Sequence, residues 1–240
     1  MTLLFSLQDV GFAYPHGPAI LSRVNFELRP RERVAIIGAN GSGKTTLLHL
    51  LVGLCKPTAG YLVAFGAARS SEADFREVRA RAALLFQDPE DQLFCPTVLE
   101  DVAFGPLNLG KTRKQAVGIA ERVLLALGLE GYGARITHKL SGGEKRLVSL
   151  AAVLAMEPDA LLLDEPSNGL DTAAHARLIH HLAALPQALV LVSHDERLIE
   201  ALATRTLLLR DGELQTLNRS ETSDATPDTT ESRQQPLPIS

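Results

Sequence analysis

The sequence predicts an α/β fold: a mixed sheet with flanking helices, an antiparallel β region, and an inserted helical subdomain. Three observations predict it. Residues 33–54 read as a short β-branched apolar strand (R-V-A-I-I), a glycine-rich loop, and a leucine-dense helix. The last third alternates short apolar strands with helices, at 161–163 then 171–185, and at 188–192 then 196–203. Between these blocks, residues 98–104, 111–127 and 142–156 all read as helices, which places a helical subdomain at about 88–158.

Taken in order, residues 3–10 and 24–28 alternate apolar with polar, as half-buried antiparallel strands do. The F-A-Y-P-H-G-P stretch between them is a loop carrying Tyr14 and His16. After the helix at 46–54, K-P-T-A-G is a turn and residues 61–65 a strand. Ser70 and Ser71 start a short charged helix, E-A-D-F-R-E-V-R. The apolar run 82–86 is a buried strand that leads into Q-D-P-E-D-Q-L-F at 87–94. Residues 206–217 read as two strands about an Asp-Gly turn. Residues 218–240, rich in Ser, Thr, Pro and charge, bury too little to order themselves and are expected to be a disordered tail. Residues 1–217 are then the folded domain, and no internal repeat is visible.

With 240 residues, 45% of them hydrophobic, the chain suits one sizeable domain with a subdomain. A net charge of −4 gives no basic field, so nucleic acid is not an expected partner. Cys55 and Cys95 are far apart and make no metal-ligand pair, which is consistent with a reducing cytoplasm. No apolar run approaches the ~18 residues of a membrane span, and the first residues lack a signal-peptide pattern. The expectation is a soluble chain that stays inside the cell and can dock on a membrane protein.

Residues 38–45, G-A-N-G-S-G-K-T, fit the phosphate-loop pattern G-x-x-x-x-G-K-[ST] in its required strand–loop–helix setting. The backbone of Gly38, Ala39, Asn40, Gly41, Ser42 and Gly43 would turn N–H groups onto phosphate oxygens, with Thr46 at the helix start. Lys44 would reach the β- and γ-phosphates and Thr45 would ligate Mg²⁺, so a nucleoside triphosphate is the expected ligand. A-L-L-L-D-E at 160–165 delivers two carboxylates from a strand end. Asp164 would hold the metal, and Glu165 would polarise the water that attacks the γ-phosphate. In L-S-G-G-E, Ser141 and Glu144 form a capping box, which predicts a helix start. Capping does not account for Gly142 and Gly143 in that first turn, where each costs up to ~1 kcal/mol relative to Ala. Bare backbone at a helix N-terminus suits an approaching anion. His175 and His180, five residues apart on one predicted helix, lie on different faces, so these two and His181 read as solvated surface rather than a metal cluster.

Together these motifs, with Gln87, S-N-G-L-D at 167–171 and S-H-D at 193–195, resemble an ATP-binding-cassette (ABC) P-loop ATPase over about residues 3–217. The resemblance implies roles residue by residue. Tyr14 would stack on adenine, and Gln87 would sense Mg²⁺ and a transmembrane partner. Ser141 and Gly143 would contact the γ-phosphate of a second protomer's ATP. Asp171 would lie at the dimer interface, and His194 would touch the γ-phosphate. Ser167 stands where many relatives carry Thr, which removes no implied ligand.

Residues 88–106 and the stretch H-K-L-S-G-G-E-K-R-L-V-S-L resemble the ATPases of energy-coupling-factor (ECF) importers, most closely the cobalt/nickel type. That resemblance implies a second ATPase protomer, identical or paralogous, an integral membrane coupling subunit, and a separate membrane protein that captures substrate. Glu90 and Asp91 would put negative charge where a basic coupling helix docks, near residues 87–94. A vitamin-type ECF ATPase and another ABC transporter's cassette remain open. A soluble ABC ATPase acting on DNA or ribosomes fits less well, because the interval from Thr46 to Leu140 is short and lacks heptads.

Overall fold

The computed structural model describes residues 3–217, so the expectation for 218–240 falls outside the described residues. The chain opens with β1 (Phe5–Ala13) antiparallel to β2 (Ala19–Leu28). Then come β3 (Arg33–Ile37), α1 (Lys44–Leu51), β4 (Ala59–Ala64), β5 (Ala67–Arg69), α2 (Glu72–Arg81) and β6 (Ala82–Leu85). A helical stretch follows with α3 (Val98–Asn108), α4 (Arg113–Ala126) and α5 (Gly142–Leu154). The end of the described chain alternates β7 (Ala160–Asp164), α6 (Thr172–Ala184), β8 (Ala188–Val192) and α7 (Glu196–Leu202), then β9 (Arg205–Arg210) and β10 (Glu213–Leu217).

Two sheets result. The smaller has the order β2-β1-β4-β5, and its β1–β2, β1–β4 and β4–β5 pairings are all antiparallel. The larger has the order β10-β9-β3-β8-β7-β6, parallel throughout except for the terminal β9–β10 hairpin. Parallel strands must have both faces covered, and the parity of β7 and β8 shows how this one does it. Ala160, Leu162, Ala188, Val190 and Val192 pack into a core shared with the small sheet, α1 and α2. Leu161, Leu163, Leu189 and Leu191 pack into a second core with α3 to α7. Every residue of both strands is buried, so their sequences read as unbroken apolar runs with no visible alternation.

Local chemistry places the helix starts. Ser71, Thr97, Thr112 and Ser141 each close a capping box at the head of α2, α3, α4 and α5. α3 runs past the expected end at 104 and carries Pro106 inside it. Its Gly105 lies so close to α5 that an added Cβ would sit 2.6 Å from Met156 Cγ. β1 departs from simple alternation because Asp9 adopts a left-handed φ of 49° and the pairing register shifts between Leu7 and Val10. β5 was not foreseen, because A-A-R has little intrinsic preference for a strand and forms one only by pairing with β4.

Because β7 delivers the Asp164–Glu165 pair from between two cores, Leu162→Ala should destabilise the domain by about 2–5 kcal/mol. The urea midpoint of unfolding measures this directly.

Candidate functional site

The loop between β3 and α1 is shaped by glycines that no other residue replaces. Gly38 has φ 154°, and a Cβ there would lie 2.4 Å from the Leu209 carbonyl oxygen of β9. Gly43, at φ 104°, caps α1 and leaves no room against Ile20, whose Cγ2 would be 2.8 Å from its Cβ. Ala39, Asn40 and Gly41 follow in the loop and are all exposed. Lys44 is buried to 7% exposure, and its ammonium donates to the carbonyls of Gly38 (2.8 Å) and Ala39 (3.0 Å). An ammonium has three donors, so one remains for a ligand held by the loop. Burial pulls the Lys44 pKa below its ordinary value, and the carboxylates of Glu165 and Asp164 oppose that pull. Ser42 Oγ is buried without a hydrogen-bond partner, and Thr46 is buried behind the loop. An ammonium with a spare donor and an unspent hydroxyl, on a glycine-rich loop at a helix N-terminus, make a donor set suited to phosphate.

Across from the loop, the Thr45 hydroxyl donates to Asp164 Oδ2 at 2.7 Å. Asp164 Oδ1 is buried and has no hydrogen-bond partner among the protein atoms. Burial raises the Asp164 pKa, against the Thr45 hydrogen bond and the fields of His49, Lys44 and Arg146. An orphaned carboxylate oxygen beside a hydroxyl is an all-oxygen donor set, which fits a hard divalent cation such as Mg²⁺. Both residues line a cleft of about 410 Å³ with His49, Phe86, Gln87 and Asn168. His49 was missed in the sequence. Its spacing of four residues from Thr45 puts both on one face of α1 and was the available signal. Burial lowers the His49 pKa, and the Asp164 carboxylate works against it.

Glu165 follows β7 in a left-handed conformation, φ 45°, that is uncommon for a residue with a side chain. Its amide donates to the Val192 carbonyl at 2.9 Å, which locks the turn to the end of β8. The carboxylate lies 3.5 Å from His194 Nε2, and the His194 amide donates to it at 3.4 Å. Sequence reasoning paired these two by role, and the structure brings them together.

Ser141 sits at the head of α5. Its amide and hydroxyl both donate to Glu144 Oε2, at 2.8 and 2.9 Å. Tyr132 Oη and Arg135 Nη1 hold the other carboxylate oxygen at 2.8 and 3.0 Å. The Ser141 amide leads these contacts in keeping Glu144 below the usual carboxylate range. A Cβ added at Gly142 would meet nothing, and one at Gly143 only the Leu170 side chain at an ordinary 3.6 Å. Packing within this chain therefore does not demand either glycine. Ser141, Gly142 and Gly143 share a cleft of about 370 Å³ with Gly169 and Asp171, the N-cap of α6. No residue of the 38–46 stretch lines that cleft, so the two phosphate-suited surfaces of one chain stand apart.

Tyr14 lies on the turn between β1 and β2, 47% exposed, its ring edge-on to Phe12 at 4.9 Å. The strand leaving that turn brings Ile20 against Gly43 of the phosphate loop. One expectation needs correction. His175 is not solvated surface: it pairs with Asp195, the N-cap of α7, and is largely buried. Burial pushes the Asp195 pKa up, but the His175 hydrogen bond, the Leu198 amide and the Ser167 hydroxyl outweigh it and hold the carboxyl low. Glu90 pairs with Lys145 of α5 yet keeps most of its side chain exposed, and Asp91 beside it is exposed as well. Among the described residues, no cluster of His, Cys, Asp and Glu suits a separate metal centre.

A family model described as ABC transporter matches residues 21–168. A Brucella suis protein named as a putative ABC transporter ATP-binding protein is 54% identical, over 89% of each chain. The energy-coupling factor transporter ATP-binding protein of Methanothermobacter thermautotrophicus is 40% identical, over 88% of this chain and 69% of its own. The cobalt import ATP-binding protein of Rhodobacter capsulatus is 42% identical, over 88% and 77%. Among solved structures, cbiO1 of Clostridium perfringens, described as part of the transporter complex cbiONQ, superposes with TM-score 0.79 at 28% identity, over 90% of this chain and 88% of that one. A dimeric ATP-binding cassette bound to ADP and Pi superposes with TM-score 0.82 at 26% identity, over 89% and 98%. The chain belongs to the ABC transporter family, as an ATP-binding, ATP-hydrolysing subunit of its energy-coupling-factor branch.

Proposed function

We propose that this chain powers an ECF-type importer of cobalt or nickel ions from the cytoplasmic face of the membrane. Two protomers would face head-to-tail and clamp two ATP molecules. The carrying observation is the separation within one chain of Lys44 and Thr45 from Ser141–Gly143, together with glycines at 142 and 143 that this chain's own packing leaves unexplained. The dimeric form of the structural neighbour bound to ADP and Pi supports the arrangement, and the similarity to a cobalt import protein supports the cargo.

Each residue then has a task. Backbone amides of residues 38–43 and the Lys44 ammonium bind the β- and γ-phosphates, while Tyr14 stacks on adenine. Thr45, Asp164 and Gln87 would hold Mg²⁺, whose positive charge offsets the charge on the phosphates. Glu165 accepts a proton from the attacking water, and its approach to that water is fixed by its left-handed backbone and by His194. His194, 3.5 Å from that carboxylate, would contact the γ-phosphate. Ser141 and Gly143 reach the γ-phosphate from the second protomer, with Asp171 at the contact. Cleavage removes the group that bridges the protomers, and their separation is the stroke passed to the membrane subunit.

Residues 87–94 carry that output. Beside the exposed acids Glu90 and Asp91, the segment also offers a partner an apolar feature. Phe94 is 66% exposed and stacks edge-on against exposed Phe104 at 4.7 Å. An integral coupling subunit docked here would bury both rings, while a separate membrane protein captures the ion.

Glu165→Gln should bind ATP normally, hydrolyse it ~10²–10⁴ times more slowly, and accumulate as a dimer on gel filtration with ATP. Unimpaired turnover in that variant removes Glu165 as the base. Phe94→Asp should lower co-purification with the membrane subunit, and cobalt- or nickel-dependent ATPase activity of the reconstituted complex identifies the cargo.

A further inference from the structure

The helix that begins at Ser141 also grips the segment that carries Gln87. Arg146, one turn into α5, is only 3% exposed. Its Nη1 donates to the Phe86 carbonyl at 2.7 Å, and its Nη2 donates to the Gln87 carbonyl. Two further ties join the same surfaces. Lys145 pairs with Glu90, and Gln92 Nε2 donates to the Ser149 carbonyl at 3.3 Å while its Oε1 accepts from the Phe86 amide at 3.3 Å.

Arg146 is an expensive way to fill space. Burying a cation costs several kcal/mol unless partners compensate, and its hydrogen-bond partners here are neutral carbonyls, with Nε left unpaired. Desolvation lowers its pKa against the fields of Asp88, Asp164 and Glu165. An apolar side chain would pack here more cheaply. A planar fork offers something else, namely two donors at fixed spacing that seize two consecutive carbonyls and set the orientation of the peptide between them.

We propose that Arg146 is a positioning residue for Gln87, fixing the 86–87 backbone so that the glutamine side chain is presented to the Thr45–Asp164 cleft. Because Ser141 heads the same helix, the element that addresses the partner's nucleotide and the glutamine that addresses the chain's own metal move as one piece. The proposal rests on the ATPase reading above and deepens it by naming how its two half-sites are joined within one chain.

The test compares Arg146→Met and Arg146→Lys with the parent full-length chain. ATP affinity without metal, by calorimetry, shows whether the phosphate loop and fold are intact. A parent that fails to bind ATP defeats the ATPase reading itself and not this one. Mn²⁺ affinity of the ATP-loaded protein, by electron paramagnetic resonance, is the deciding readout. We expect Arg146→Met to need about five- to tenfold more Mn²⁺, the scale of one lost hydrogen bond, with ATP affinity unchanged. Lysine keeps the charge but not the fork, so Arg146→Lys should also be weakened, falling between methionine and the parent. Parent-like Mn²⁺ affinity in Arg146→Met overturns the proposal, as does full recovery by lysine, which would assign the effect to charge rather than to the fork. If Arg146→Met does not fold, Arg146→Lys decides on the same readout, with weakened Mn²⁺ affinity supporting the proposal and parent-like affinity overturning it.

Discussion

The hydrogen bond from Thr45 Oγ1 to Asp164 Oδ2, 2.7 Å long, joins the two ends on which the site depends. Thr45 belongs to the helix that follows β3, and Asp164 closes β7, with β8 lying between those strands. The bond forms because β3, β8, β7 and β6 run parallel and finish on the same edge. Ligand sites of open parallel sheets form at that carboxyl edge. Here it collects the phosphate loop after β3, His194 after β8, Glu165 after β7 and Gln87 after β6. The two cores keep those four ends in register, so the hydrophobic layering and the polar edge are one construction.

Much of this was legible because the motifs are local backbone devices. The glycine loop, the Ser141 capping box and the Asp-Gly hairpin each specify φ and ψ within a few residues. The sequence therefore located them, and β3 and β8 took the expected bounds. What was hidden rests on side-chain pairs distant in sequence. His175 looked solvated because Asp195, its partner, is twenty residues away on another helix. Glu90 looked unpaired because Lys145 is fifty-five residues away. Arg146 drew no notice in the sequence, because the two carbonyls it grips lie about sixty residues away. β5 was hidden for a different reason, since its strand character comes from its neighbour.

The capping box at Ser141 shows how a structural device and a functional one can share residues. Glu144 spends its carboxylate on the Ser141 amide and hydroxyl and on Tyr132 and Arg135, which stiffens the first turn of α5. That leaves the Gly142 and Gly143 backbone uncovered, at the positive end of the helix. A surface held rigid and left bare makes sense as half of a composite site.

The central claim is that this half-site acts on another protomer's nucleotide, and Ser141→Arg tests it most directly. ATP affinity and hydrolysis rate of that variant should separate. The account predicts parent-like ATP binding by calorimetry with hydrolysis reduced by ~10²-fold or more, the scale for loss of a transition-state donor. Unchanged hydrolysis, or ATP binding lost along with it, would contradict the account.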